Sequence, residues 1–144
     1  MHSIKQRITM KVSPEALYQA LTTEAGLTAW WTKTQTQGDT EGSINSFFFG
    51  HENHAVEMQI QSLVPNKLVS WQCIRGPWEE KGLFEFNITP DEKGCVLHFN
   101  HQGWPEMDDF YQHCNAKWGF FLVISLKNYL ETGTGNPNPE DPDI

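Results

Sequence analysis

Between Gly42 and Gly103 the chain alternates with a period of two, and between Met107 and Glu131 it repeats every three to four residues. That single switch restricts the fold more than any other feature. A run of short strands joined by tight turns makes an antiparallel sheet. The one long amphipathic helix that follows must cover the sheet's apolar face.

The strands can be placed individually. Ile44 to Phe49 carries three consecutive Phe, and His54 to Leu63 sets Val56, Met58 and Ile60 against Glu57, Gln59 and Gln61. After Pro65-Asn66 comes Leu68 to Ile74, which Gly76-Pro77 ends. Lys81 to Thr89 sets Phe84, Phe86 and Ile88 against Leu83, Glu85 and Asn87. The loop Pro90-Asp91-Glu92-Lys93-Gly94 then leads to Cys95–Gly103, with Leu97, Phe99 and His101 in phase. On the long helix, Tyr111, Cys114, Trp118, Leu122, Ser125 and Tyr129 share a face, and Gly133 supplies a stop.

Ahead of the sheet, Ile4, Ile8, Met10 and Val12 face one way and Lys5, Arg7, Thr9 and Lys11 the other, a strand wet on one side. Ser13-Pro14-Glu15 opens a helix running to about Thr22, with Ser as N-cap and Pro at the first position. A second short helix from about Glu24 ends in Trp30-Trp31. The expected architecture is α+β with about six or seven antiparallel strands, two short helices after the first strand, and one long C-terminal helix. Residues 1–135 form one domain, and 136–144, Pro-rich and acidic, is expected to be a mobile tail.

Composition narrows the function. Six Trp and nine Phe in 144 residues exceed what closing a small core requires, so the aromatics either pack very densely or surround something. The net charge is −8 and the ten Lys and Arg are scattered from Lys5 to Lys127. Nucleic acid and anionic lipid both need concentrated positive charge, so neither is expected as a partner. The cysteines, Cys73, Cys95 and Cys114, are odd in number, fit no metal spacing and lie in apolar runs, as buried thiols of a reducing cytosol do. The N-terminus has no charged-then-apolar leader and no apolar run is long enough to span a membrane, so a cytoplasmic location is expected.

Four stretches carry a resemblance: SPEALYQALTTEAGLTAWW (13–31), PNKLVSWQC (65–73), GCVLHFNHQGW (94–104) and KWGFFLVISLKNYLETGTG (117–135). The chain resembles the START and birch-pollen-allergen-like superfamily (SRPBCC). Within it, the chain is similar to the branch named for the C-terminal domain of the activator of the heat-shock-protein-90 ATPase. The resemblance implies a helix-grip fold with a cavity between sheet and long helix. It also implies hydrophobic ligands such as lipids, sterols or polyketides, and in some relatives cyclase or dehydratase activity. It transfers no catalytic residue. Because the first strand begins at Ile4, the separate N-terminal domain that helps the eukaryotic co-chaperones bind the chaperone is not expected.

The candidate ligand-binding residues follow from the expected cavity. Trp30 and Trp31 close the second helix; Phe47, Phe49, Met58, Trp71 and Trp78 come from the earlier strands, and Phe84, Phe86 and Phe99 from the later ones. Trp118, Phe121 and Leu122 come from the long helix. Polar groups that would orient a ligand are Trp71, His101, Tyr111, Trp118 and Ser125. His101 and Tyr111 are also the candidate acid–base pair if the domain is an enzyme, although a histidine serving structure at the pocket rim explains His101 more simply. His98 and His101 stand three apart on a strand and so face opposite ways, which does not suit a shared metal. His51 and His54 lie at a turn without a third ligand. Asp108 and Asp109 serve the helix start. No metal or cofactor is expected. Binding of a small hydrophobic molecule without turnover is the first reading. A cyclase- or dehydratase-like enzyme and a chaperone-interacting module are the alternatives, and the oligomeric state is left open.

Overall fold

The computed structural model describes residues 1–50, 55–79 and 82–144. Seven antiparallel strands form one sheet: β1 (His2–Met10), β2 (Lys33–Thr36), β3 (Ile44–Phe48), β4 (Val56–Val64), β5 (Leu68–Arg75), β6 (Leu83–Asp91) and β7 (Gly94–Trp104). Their order is β1-β7-β6-β5-β4-β3-β2, a meander from β2 to β7 with β1 added beside the last strand. Strand β2 is the element that periodicity misses: it is four residues, KTQT, on the sheet edge, with no apolar alternation.

Period-two patterning translates directly into a buried face. Phe84, Phe86 and Ile88 of β6 and Leu97, Phe99 and His101 of β7 are buried. Phe86 pairs across the ladder with Phe99, and Phe84 with His101. Two register shifts in β4, at Glu57/Met58 and at Ile60/Ser62, interrupt its pairing with β5. Such irregularities bend a strand and increase its twist.

Helix α1 (Pro14–Thr22) starts as its sequence dictates, with the Ser13 Oγ accepting from the Ala16 N–H at 3.2 Å. Thr23 ends α1 and caps α2 (Glu24–Trp30) by accepting from the Gly26 N–H at 3.0 Å. The two short helices are pinned by the Trp30 indole, whose Nε1–H donates to the Ala20 carbonyl at 2.8 Å.

The long C-terminal helix is one element in three sections: α3 (Asp109–Gly119), a π-helical segment (Phe120–Leu126) and α4 (Lys127–Thr132). Asp108 is its N-cap, accepting from the Tyr111 N–H at 2.9 Å. Gly133, with φ +92°, closes the helix in the left-handed region. A π turn carries an extra residue. Here the wider turn buries adjacent pairs, Phe121–Leu122 and Ser125–Leu126, and leaves Val123 and Ile124 exposed.

Beyond the helix the chain doubles back. An added Cβ at Gly135 would lie 2.5 Å from the Ala29 carbonyl oxygen, so only glycine fits against α2. The Asn136 N–H donates to Ser125 Oγ at 2.8 Å, and the same hydroxyl donates to the Trp30 carbonyl at 2.6 Å. The Asn138 N–H donates to the Trp31 carbonyl at 2.7 Å, and its side chain accepts from the Gly50 N–H at 2.8 Å. The tail that composition predicts to be free thus lies against the body. Its prolines lack donors, but the asparagines between them supply the anchoring bonds.

Ser125 therefore ties the helix to α2 and to the tail at once. Ser125→Ala is expected to lower stability by about 1–3 kcal/mol, because two buried backbone groups lose their partner. Urea denaturation with an unchanged m-value reads this. A loss below about 0.5 kcal/mol would show that the hydroxyl carries no such role.

Candidate functional site

Between sheet and long helix, most of the expected cavity volume is taken by rings. Trp118 projects from α3 into the sheet. Its ring centroid lies 4.5 Å from Phe99, 5.1 Å from Trp31, 5.9 Å from Phe84 and 6.4 Å from Phe86. Trp71 stacks on Trp31 at 5.8 Å and meets Phe47 and Phe86 at 5.5 and 4.8 Å. All of these side chains are buried.

At one end of this aromatic layer a cavity of about 410 Å³ remains. Trp31, Trp118 and Phe121 form its floor; Phe49, Pro77 and Trp78 come from the connections at the sheet end, and Val56 from the start of β4. Phe110, His113, Cys114 and Lys117 enter from α3, and Asn138, Asp141 and Asp143 from the tail. Of the residues that sequence reading selects, the structure gathers Trp31, Phe49, Trp78, Trp118 and Phe121 on this wall. Phe49 and Trp78 reach it from the loops after β3 and β5, not from strands as expected.

The remaining candidates lie elsewhere. Phe47, Met58, Trp71, Phe84, Phe86 and Phe99 pack in the sheet layer behind the cavity, and Leu122 is buried on the inner side of the π-helical segment. Trp30 and Ser125 are committed to the backbone bonds described above. The Tyr111 hydroxyl donates to the Ser3 carbonyl at 2.8 Å, joining α3 to β1. His101 is fully buried, stacked 3.7 Å from Phe84 and edge-on to Trp104 at 5.0 Å and Trp78 at 6.0 Å. It is an interior side chain, not one at the rim. His98 faces the opposite side and is exposed. His51 and His54 lie outside the described residues.

Sequence reading missed the α3 contribution by about one residue. The face through Cys114 and Trp118 is right, but Phe110, His113 and Lys117 flank it on the cavity side. Their signal was helical spacing: Phe110 stands four residues before Cys114, Lys117 four before Phe121, and His113 four before Lys117. Nothing in the tail's composition pointed to the cavity.

The polar chemistry is concentrated at the mouth. Lys117 Nζ donates to Asp141 Oδ2 at 2.6 Å and to the Pro142 carbonyl at 2.5 Å. The lysine side chain is 20% exposed and the aspartate 6%. Among the described residues no three His, Cys, Asp or Glu are grouped to hold a metal. Among the described residues, the buried indole N–H groups of Trp71 and Trp78 have no hydrogen-bond partner. Burial raises the Cys73 thiol, with the charge of Glu79 adding to it and two backbone N–H groups, of Trp78 and Arg75, opposing it. Burial also raises Cys95, helped by Asp91 and Glu15.

A family model described as activator of Hsp90 ATPase homolog 1-like protein matches residues 11–131. The chain belongs to that family. The Aha1 dimer from Colwellia psychrerythraea, solved in solution, is 38% identical, with a TM-score of 0.81 over 94% of this chain and 100% of that one. A Staphylococcus saprophyticus protein shares the fold at 15% identity, with a TM-score of 0.76 over 93% of this chain and 95% of that one. A putative protein of the dynemicin biosynthetic locus does so at 16% identity and a TM-score of 0.72, matching 92% of this chain but 48% of its own. No curated protein sequence matches the chain. As a member of this family, the chain has the α+β helix-grip architecture that its sequence pattern and resemblance imply.

The elevated thiols make a direct chemical expectation. A raised pKa leaves less thiolate at any given pH, and both side chains are nearly inaccessible. Iodoacetamide at pH 8.5 should label Cys73 and Cys95 in native protein at least tenfold more slowly than in urea, as followed by mass spectrometry. Equal rates would mean that these strands open readily.

Proposed function

We propose that the domain binds a small hydrophobic molecule in the cavity at the open end of the sheet–helix interface. The observation that carries this reading is the cavity's wall. Three Trp (Trp31, Trp78 and Trp118), three Phe (Phe49, Phe110 and Phe121) and Val56 surround about 410 Å³ that the aromatic layer leaves unfilled. A concave apolar site of this size with few polar groups suits a small organic ligand. Residues 1–135 act in this reading as one cytoplasmic domain, and nucleic acid and membrane are not partners. No helix among the described residues is long and apolar enough to cross a membrane.

Binding is favoured over catalysis by where the polar groups are spent. The Tyr111 hydroxyl holds a backbone carbonyl, and His101 is enclosed by three rings. Neither lines the cavity, where an acid or base would have to meet substrate. A second reading, a chaperone-interacting module, draws on the family's description as an Hsp90 ATPase activator homologue. That function would use an outer surface and would be indifferent to a blocked cavity.

The test is a thermal-shift screen against hydrophobic metabolites, run on the native chain and on Val56→Trp, which places a large side chain in the mouth. A ligand at a hundred times its Kd stabilises by about 2.7 kcal/mol, a rise of roughly 5–10 °C in Tm for a domain of this size. One chemical class should give that shift, and Val56→Trp should remove it. Stimulation of the host chaperone's ATPase, undiminished in Val56→Trp and unaccompanied by any ligand shift, would favour the second reading.

A further inference from the structure

The cavity mouth has a division of charge that its apolar wall does not explain. The body of the domain contributes Lys117 and His113, four residues apart on one face of α3; the tail contributes Asp141 and Asp143. Asp141 is seated as a bound anion would be. One carboxylate oxygen accepts from Lys117 Nζ at 2.6 Å, the other from Asn138 Nδ2 at 2.9 Å, and the side chain is almost wholly buried. The same ammonium donates to the Pro142 carbonyl.

We propose that Lys117 is the receptor for the anionic head of an amphiphilic ligand, and that Asp141 of the chain's own tail holds that position until the ligand displaces it. This rests on the reading that the cavity binds a small molecule, and it names the class: an apolar body with a carboxylate or equivalent anionic group at one end.

At this partly buried site the charge balance has to be kept when the tail leaves. An ammonium at an apolar rim is costly once its partner leaves, because its hydration is only partly restored. A neutral ligand that pushed the tail aside would leave Lys117 in that state. An anionic ligand replaces one carboxylate by another and keeps the charge-assisted hydrogen bond. The whole chain carries −8, so its general field repels anions. Affinity for an anionic head must therefore come from a local cation, and Lys117 is placed to supply it. The tail competes from a short tether, held at Asn136 and Asn138, so its local concentration is high and the displacement is selective.

The experiment is calorimetric titration of the full-length protein with straight-chain carboxylates from octanoate to tetradecanoate and with the matched primary alcohols, below their aggregation limits. Variants are Lys117→Met, Lys117→Arg and Asp141→Ala, each checked for a native circular dichroism spectrum. A hydrogen bond to a charged group corresponds to roughly a ten- to hundredfold preference. The native chain should bind the carboxylate of a given length more tightly than the alcohol by that factor. Lys117→Met should erase the preference while the alcohol still binds, and Lys117→Arg should retain it. Asp141→Ala should tighten carboxylate binding severalfold and change alcohol binding little. Equal binding of acid and alcohol by the native chain, or a preference that survives Lys117→Met, overturns the assignment and leaves the cavity reading standing. Failure of every chain length to bind any variant overturns both.

Discussion

The indole of Trp118 touches every layer of the domain. From the long helix it reaches Phe84, Phe86 and Phe99 on the central strands and Trp31 at the end of α2. Long helix, sheet and short helices thus meet around a single ring. Aromatic pairs at 4.5–7 Å contribute beyond their buried area, and interiors packed this densely resist changes of even one methylene. The consequence for function is geometric: the layer behind Trp118 is closed, and the remaining space is pushed to its outer edge.

Around that keystone the chain arranges a second fastening. Ser125, brought inward by the wide π turn, holds both the Trp30 carbonyl and the Asn136 N–H. Gly135 permits the returning chain to press on α2. The tail is thereby delivered to the cavity mouth, where Asn138 and Asp141 complete a wall that the folded body leaves open. Helix irregularity, tail path and cavity are parts of one arrangement.

Most of the fold was legible because burial and periodicity agree. The alternation in β6 and β7, the Ser13 cap, the Trp30-Trp31 ending of α2 and the Gly133 stop each follow from local chemistry that tertiary packing did not override. Strand β2 was invisible because it is short, polar and at an edge, where neighbouring backbone rather than apolar alternation defines it. The site was legible only in part. Trp31, Trp118 and Phe121 could be placed near a cavity from the aromatic excess and the helical face. Yet the same pattern cannot say which rings fill the space and which border it, since Phe86, Phe99 and Trp118 share identical signals. His101 shows the same limit: phase put it on the inner face, but only the packing of Phe84, Trp78 and Trp104 shows that it is walled in. Lys117 and Asp141 pair across 24 residues of sequence separation through a tail whose composition suggests no contact at all.

The central claim is that a ligand's apolar body lies against the outer faces of Trp31, Trp118 and Phe121 while the aromatic layer behind stays shut. Isotope-filtered NOE spectra of the labelled protein, saturated with the hydrophobic compound that stabilises it most, address this directly. The account predicts cross-peaks from the ligand's alkyl or ring protons to Trp31, Trp118, Phe121 and Trp78, and none to Phe47 or Phe86. Cross-peaks to Phe47 and Phe86 would mean that the layer opens to admit the ligand. Cross-peaks confined to the outer sheet face around His98 would contradict the cavity altogether.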